Sequence, residues 1–159
     1  KYLAPIPEEE QEDLVAAYHN RLFGSDESEK LQAALAWSKW EASTSRLLQK
    51  ESMIKDFEDP KLALAFARIE NHYFFNNAFF ETENFLLENV EKIRHIPAVI
   101  VQGRYDIVCP MRSAWDLHRA WPEAELVIVA DAGHSALEIG ITSELVRATD
   151  EFKAIKYEY

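Results

Sequence analysis

The chain has 159 residues, of which 48% are hydrophobic and 28% are charged. This length and mix fit one globular domain, or one domain with part of another, and exclude a mainly disordered chain. Acidic residues outnumber basic ones by 28 to 17, and the net charge of −11 weighs against a nucleic acid as the partner. The single cysteine excludes an internal disulfide framework. We find neither an apolar run of about 18 residues nor a signal-peptide core, so we expect no membrane partner and a cytoplasmic location.

The pattern of the first 95 residues is typical of consecutive helices. Gly24 ends the first helix, and Ser25 or Asp26 caps the second. Asp59 followed by Pro60 is a cap with proline in the first helical turn, and it opens the third. The third helix carries aromatic residues on nearly all sides, so we expect it to be buried or to line a cavity. The predicted helices cover about residues 7–23, 27–50, 60–80 and 83–94.

From residue 96 onward the pattern changes to alternating strands and helices. Two short apolar runs, 97–103 and 125–130, predict buried parallel strands, each followed by a helix, over about 110–121 and 142–156. The fold class is therefore α/β, with a β-α-β-α order. Two strands leave both edges of a sheet unpaired, so we expect the end of a larger α/β domain. Edge pairing between copies, and hence a homo-oligomer, stays open.

Two polar residues follow the two predicted strands. Asp106 lies just beyond the first strand, and His134 lies just beyond the second. The carboxyl ends of parallel strands share one rim of a sheet, so both side chains can reach the same place. A carboxylate that orients an imidazole is the supporting pair of nucleophilic hydrolysis. Each residue alone is as well explained as an ordinary loop residue, and only the pair favours catalysis.

The nucleophile expected beside such a pair is not found in this sequence. The four glycines form no G-x-S-x-G, G-x-G-x-x-G or G-x-x-x-x-G-K motif, so the 159 residues contain neither a nucleophile elbow nor a phosphate-binding loop. Ser135 follows His134 directly but has no elbow glycines, and we do not assign it as the nucleophile. The five histidines have no metal-binding spacing, and we expect no metal and no cofactor.

Several longer segments together resemble proline iminopeptidases (prolyl aminopeptidases), which have the α/β-hydrolase fold. The similarity extends over nearly the whole chain, and an order of aspartate then histidine after the last two strands is typical of that fold. The segments that carry the resemblance are residues 96–110 (IPAVIVQGRYDIVCP), 113–118 (SAWDLH), 132–135 (AGHS), 5–7 (PIP), 16–19 (AAYH), 36–41 (AWSKWE) and 67–74 (ARIENHYF).

The resemblance implies a serine exopeptidase that releases proline from the N-terminus of peptides or amides. Residues 1–95 would be most of a helical cap, and residues 96–159 the C-terminal part of the hydrolase core. Asp106 and His134 would be two members of the catalytic triad. The third member, the serine, would lie in a missing N-terminal half of the domain, so we expect this chain alone to be inactive.

The resemblance also implies a site for the substrate amine. Glu41 and Glu70 fall on the family's two amine-binding glutamates, and Tyr73 and Phe74 would form an apolar wall for the proline ring. Two carboxylates in a poorly hydrated pocket suit a cationic prolyl amine, because the cation favours their charged form. Without the resemblance, Glu41 would be interpreted as a solvated helix residue and Glu70 as a partner of Arg68 or His72.

Two alternative functions remain open at this stage. The chain could belong to another α/β-hydrolase, such as an esterase or amidase, in which Glu41 and Glu70 bind no amine. It could also be a non-catalytic helical binding module that kept the pocket without the catalytic half. A need for an N-terminal half in order to fold would favour a hydrolase, and a stable isolated chain that binds peptides would favour the module.

Overall fold

The computed structural model describes residues 2–49, 54–55 and 57–153. The chain divides into two compact units. The first comprises Lys1–Ser43 and Gln49–Glu81, and the second comprises Thr44–Leu48 and Thr82–Tyr159.

Three helices form the framework of the first unit, and aspartates cap all three. The helices are α1 (Leu14–Leu22), α2 (Glu27–Thr44) and α3 (Pro60–Phe75). The carboxylates of Asp13, Asp26 and Asp59 accept hydrogen bonds from backbone N–H groups in the first turns of α1, α2 and α3. Such caps satisfy donors that have no partner within the helix. The predicted cap at Asp59 is therefore confirmed.

The bounds of the first three predicted helices are wrong in part. The helix expected from residue 7 is a 3₁₀ turn, Glu8–Glu10, and α1 begins only after Asp13, whose backbone is not helical. Helix α2 ends at Thr44, and the last residue of its predicted span, Lys50, lies outside the described residues. Helix α3 ends at Phe75, and the backbone then takes positive φ over residues 77–79, a left-handed turn that cannot continue a right-handed helix.

The core of the first unit is built from small residues around two large aromatic ones. Tyr18 and Trp37 are almost fully buried, and Asn71 is the buried polar residue of α3, with its side-chain amide bonded to α1. On α3 the alanines Ala63 and Ala67 face this core, whereas the large aromatic side chains near its end are about half exposed. The burial expected for the aromatic residues of this helix is therefore found only in part: Phe66 packs against the core, whereas Tyr73, Phe74 and Phe75 are about half exposed.

The second unit contains the predicted β-α-β-α order. Strands β1 (Val99–Gly103) and β2 (Glu125–Val129) pair in parallel, with Val99 opposite Glu125 and Gly103 opposite Val129. The predicted helix over 83–94 is only the single turn α4 (Phe85–Glu88) followed by a 3₁₀ turn, Val90–Lys92. The two other helices are α5 (Met111–Ala120) and α6 (Ile139–Phe152), and α6 begins three residues before its predicted start.

The core of this unit lies in two small clusters on the sheet. Val90, Trp121 and Ala124 form one, and Val129, Ala132 and Ile141 form the other. The second cluster lies at the carboxyl end of β2, which supports the loop that follows the strand. Within the described ranges, no helix is both long and apolar enough to cross a membrane.

Candidate active site

Asp106 is fixed in a tight turn directly beyond β1. Its Oδ1 atom accepts hydrogen bonds from the backbone N–H of Val108 at 3.0 Å and of Cys109 at 2.8 Å. The side-chain amide of Gln102 approaches Oδ2 at 3.4 Å and also donates to the carbonyls of Gly103 and Cys109. The side chain is only 6% exposed. These donors hold the carboxylate in one orientation.

His134 follows β2 and faces this carboxylate. Its Nδ1 atom lies 3.0 Å from Oδ2 of Asp106, and its side chain is 37% exposed. Because an ionised carboxylate can only accept, we assign the proton of this hydrogen bond to Nδ1. Nε2 is then the unprotonated ring nitrogen, the one that can accept a proton. The structure therefore brings together the two residues that the sequence placed at successive strand ends.

The close approach of two backbone segments sets this distance. An added Cβ on Gly103 would lie 1.9 Å from the carbonyl oxygen of Gly133 and 2.8 Å from that of Ala132. The backbone N–H groups of Arg104 and Tyr105 donate to the carbonyls of Val129 and Ala132. The loop that carries His134 thus lies directly on the end of β1, which requires glycine at position 103.

Residues 44–48, which we call the strap, lie against the loop that carries His134. The carbonyl of Ser45 accepts hydrogen bonds from the backbone N–H of His134 at 3.1 Å and of Ser135 at 2.7 Å. Glu138 accepts from the backbone N–H of Gly133 at 2.7 Å and of Leu47 at 3.3 Å. The sequence pattern missed the strap because it assigned these residues to a helix. Leu47 and Leu48 continue the apolar positions of the predicted helix, so no local signal marks its end at Thr44.

The other predicted site residues lie in the first unit, where the carboxylate of Glu70 is held by a tryptophan. Oε2 of Glu70 accepts a hydrogen bond of 2.8 Å from the indole N–H of Trp37, which is 2% exposed. The Trp37 ring packs edge-on against Tyr18 at a centroid distance of 5.1 Å. A carboxylate bonded to a buried indole has a defined direction, which suits it to bind a cation.

Burial and the charges of Glu41 and Glu70 together raise the pKa of Tyr2. Burial raises the pKa of Tyr2 to about 12, and the charges of Glu41 and then Glu70 add to the increase. The Tyr2 ring stacks on Tyr18 at 4.8 Å and also contacts Trp40 at 5.2 Å. The two glutamates therefore share one electrostatic neighbourhood, beside an aromatic cluster. Tyr2 and Trp40 also line a cavity of about 780 Å³ within this unit.

The two predicted aromatic wall residues have different neighbours. Phe74 lies one helical turn after Glu70, and its ring centroid is 6.0 Å from that of Trp37. Tyr73 instead contacts Phe79 at 5.7 Å and His72 at 6.2 Å. Phe74 and Tyr73 are 54% and 52% exposed. Phe74 thus belongs to the group around Glu70, while Tyr73 belongs to a separate aromatic group at the end of α3.

Each unit, taken by itself, contains one group of candidate side chains. In the second unit, Asp106 and His134 form a carboxylate–imidazole pair of the kind that can transfer a proton. In the first unit, Glu41 and Glu70 both lie within electrostatic reach of Tyr2, and two carboxylates can attract a cation. Among the described residues, no group of three or more His, Cys, Asp or Glu side chains could hold a metal ion.

Comparison with known proteins finds one matching family and several similar proteins. Residues 1–140 match the model of the alpha/beta hydrolase fold family. The chain is 57% identical over 155 residues to a "Probable proline iminopeptidase" of Leptolyngbya boryana, covering 98% of this chain and 48% of the relative. It is 58% identical over 151 residues to a "Proline iminopeptidase" of Arabidopsis thaliana, covering 94% and 40%.

A relative of lower identity is matched over a similar share of this chain. The "Proline iminopeptidase" of Neisseria gonorrhoeae is 48% identical over 151 residues, which is 95% of this chain and 47% of that protein. The chain therefore spans about half the length of the relatives it matches. The resemblance to proline iminopeptidases and the α/β fold class expected from the sequence are both confirmed. By its family match, its parallel β-α-β-α order and its similarity to these proteins, the chain belongs to the alpha/beta hydrolase fold family.

Proposed function

We propose that this chain is the C-terminal part of a proline iminopeptidase, a serine exopeptidase that releases N-terminal proline from peptides and amides. The observation that carries the proposal is the 3.0 Å contact between His134 Nδ1 and Asp106 Oδ2, beyond two neighbouring parallel strands. The high identity to proline iminopeptidases over nearly the whole chain supports the same activity.

In this proposal, His134 is the general base and then the general acid. Its Nε2 takes the proton of a serine hydroxyl as the serine attacks the prolyl carbonyl, and it returns that proton to the leaving amine. Asp106 keeps the imidazole in the required tautomer and stabilises the imidazolium. The serine and the oxyanion donors come from an N-terminal half of the domain, because the 159 residues contain no elbow motif. We therefore expect these 159 residues alone not to hydrolyse proline substrates.

The second part of the proposal concerns recognition of the free amine. Glu41 and Glu70 bind the prolyl ammonium, and the hydrogen bond from Trp37 orients the Glu70 carboxylate. Phe74 and Tyr73 offer apolar surface to the proline ring. A substrate with a blocked amine would leave two carboxylates without their cation, which gives selectivity for free N-termini. We assign residues 1–95 to the cap and residues 96–159 to the hydrolase core, and the cytoplasmic location stays a prediction.

The first test combines the mass of the native gene product with hydrolysis of a proline amide. We expect an intact mass well above that of 159 residues, and release of proline by the full gene product. Asp106→Asn should lower kcat about 10⁴-fold, because it removes the charge that orients the imidazole, and His134→Ala should abolish turnover. Asp116→Asn, in an ion pair on α5, and His95→Ala, at an exposed position, are matched controls that should retain activity.

The outcomes separate the competing functions. A native product of only 159 residues without hydrolase activity would contradict the proposal and favour a binding module. Hydrolysis of a simple ester but not of a proline amide would favour another α/β-hydrolase. Full activity of Asp106→Asn would contradict the assignment of the catalytic pair.

The second test examines the amine site. Replacing Glu41 or Glu70 by glutamine should raise KM for the proline amide about 30-fold, which corresponds to the loss of about 2 kcal/mol of charge-assisted binding. Glu27→Gln, at an exposed position in the first turn of α2, is the control. Equal turnover of the free and the N-acetylated proline amide by the wild-type protein would contradict this part of the proposal.

A further inference from the structure

We infer that Glu138 is a positioning residue for the catalytic histidine, and that it acts by fastening the strap, residues 44–48, to the loop that carries His134. This inference rests on the proposed function, in which His134 is the proton carrier. All of the residues involved belong to the second unit.

Four hydrogen bonds connect the strap, the histidine loop and Glu138. The Ser45 carbonyl receives the N–H groups of His134 and Ser135, at 3.1 and 2.7 Å. The two oxygens of Glu138 receive Gly133 N–H at 2.7 Å and Leu47 N–H at 3.3 Å. The loop is thus bound to the strap directly at His134 and Ser135, and through Glu138 at Gly133. The two oxygens of a carboxylate can each accept one of the N–H groups of Gly133 and Leu47.

The packing around Gly133 leaves little freedom for the loop to move. An added Cβ there would lie 2.9 Å from Leu47 N, 3.1 Å from Glu138 Oε1 and 3.2 Å from the carbonyl carbon of Arg46. On the opposite side, the Gly133 carbonyl lies against Gly103. The residue before His134 is therefore held between the strap and the end of β1, with the Glu138 carboxylate as its hydrogen-bond partner.

These contacts fix the backbone of His134, but not the imidazole itself. The imidazole is directed by Asp106, at 3.0 Å. A catalytic pair at this distance needs both members held to within a fraction of an ångström, and a misplacement of about 1 Å can reduce turnover about 100-fold. Glu138 holds the histidine side of the pair, whereas the turn over residues 106–109 holds the aspartate side.

The test uses Glu138→Gln in the full gene product. Glutamine keeps the size of the side chain but offers only one oxygen, so one of the two N–H groups faces an NH₂ group instead. We expect kcat for a proline amide to fall at least 10-fold with KM changed less than 2-fold, since the amine site is untouched. Glu144→Gln, an ion-paired residue of α6, is the matched control and should retain kcat.

A second variant removes the same connection from the strap side. Leu47→Pro deletes the N–H group that donates to Glu138, and Leu47→Ala, which keeps this N–H group, is its control. The double variant Glu138→Gln with Leu47→Pro should lose less activity than the product of the two single losses, because both break one connection. Independent, multiplicative losses, or an unchanged kcat in a folded Glu138→Gln protein, would overturn the inference.

A spectroscopic measurement separates this inference from the proposed function. The proton between His134 Nδ1 and Asp106 Oδ2 should give a downfield NMR resonance that disappears in His134→Ala. We expect it to shift or broaden in Glu138→Gln and to stay unchanged in Glu144→Gln. If the wild-type protein shows this resonance but releases no proline, the proposed function fails while the positioning role stands. An unaltered resonance in Glu138→Gln would overturn the positioning role, whatever the activity.

Discussion

Gly103→Ala should damage both the stability and the activity of this protein, because the end of β1 has no space for a methyl group. The new Cβ would lie 1.9 Å from the Gly133 carbonyl oxygen and 2.8 Å from that of Ala132. Both atoms are backbone, so no side-chain rotation can relieve the contact. An ordinary contact of about 3.4 Å requires the loop to retreat by about 1.5 Å.

A retreat of this size has two measurable consequences. Overpacking of this kind costs about 3 kcal/mol or more of unfolding free energy, since two backbone segments must separate. The loop also carries His134, whose hydrogen bond to Asp106 is 3.0 Å long and would be broken by a shift well below 1.5 Å. We therefore expect turnover of the folded fraction to fall about 100-fold.

The assay is urea unfolding followed by tryptophan fluorescence, together with proline amide turnover, on the full gene product. Val101→Ala is the control, because it removes packing from the same strand without placing an atom against the loop. It should cost about 1 kcal/mol and leave kcat within 2-fold. If Gly103→Ala loses less than about 0.5 kcal/mol and retains kcat, the close approach of β1 and the histidine loop does not limit this protein, and the reasoning is wrong.

Three further predictions concern the first unit. Trp37→Phe removes the hydrogen bond to the Glu70 carboxylate, and we expect KM for a proline amide to rise about 5- to 10-fold, corresponding to about 1 kcal/mol. Trp121→Phe is the control, because among the described side chains its indole N–H is the buried donor without a hydrogen-bond partner. Asn71→Ala removes two hydrogen bonds to α1 from a fully buried position, and it should lower the unfolding free energy by about 2–3 kcal/mol in urea titration; a loss below 0.5 kcal/mol would contradict this. The pKa of Tyr2 is raised to about 12, so the folded state keeps a proton that the unfolded state loses, and stability should fall as pH rises from 10 to 12. Thermal melts of Tyr2→Phe should show a smaller alkaline decrease than the wild type, and an identical decrease would refute the shift.

Much of the site could be predicted because it depends on local chemistry and on topology. The parallel strands follow from short apolar runs, and the carboxyl ends of two paired parallel strands must share one rim. This placed Asp106 and His134 near each other before any coordinate was known. The cap at Asp59 was also predictable, since an aspartate before proline satisfies the first N–H groups of a helix.

The features that sequence patterns missed depend on contacts between distant parts of the chain. The strap meets Glu138 across 91 positions, and the hydrogen bond from Trp37 to Glu70 spans 33. Periodicity reports which face of a helix is apolar, but it carries no information on which carbonyl will accept a distant N–H group. The predicted helix therefore continued past Thr44. In the structure, the Ser45 carbonyl instead accepts from the histidine loop, and the Leu47 N–H donates to Glu138.

The sequence by itself determined the α/β class, the order of strands and helices, the family and the side chains available to the candidate site. Apolar periodicity, capping residues and specific motifs are local properties of the chain, so they can be recognised without coordinates. Only the tertiary structure decided that His134 lies 3.0 Å from Asp106, that Glu138 fastens the strap and that Trp37 orients Glu70. Distances of this kind are set by packing, in which most buried donors find acceptors, often among residues far away in the sequence.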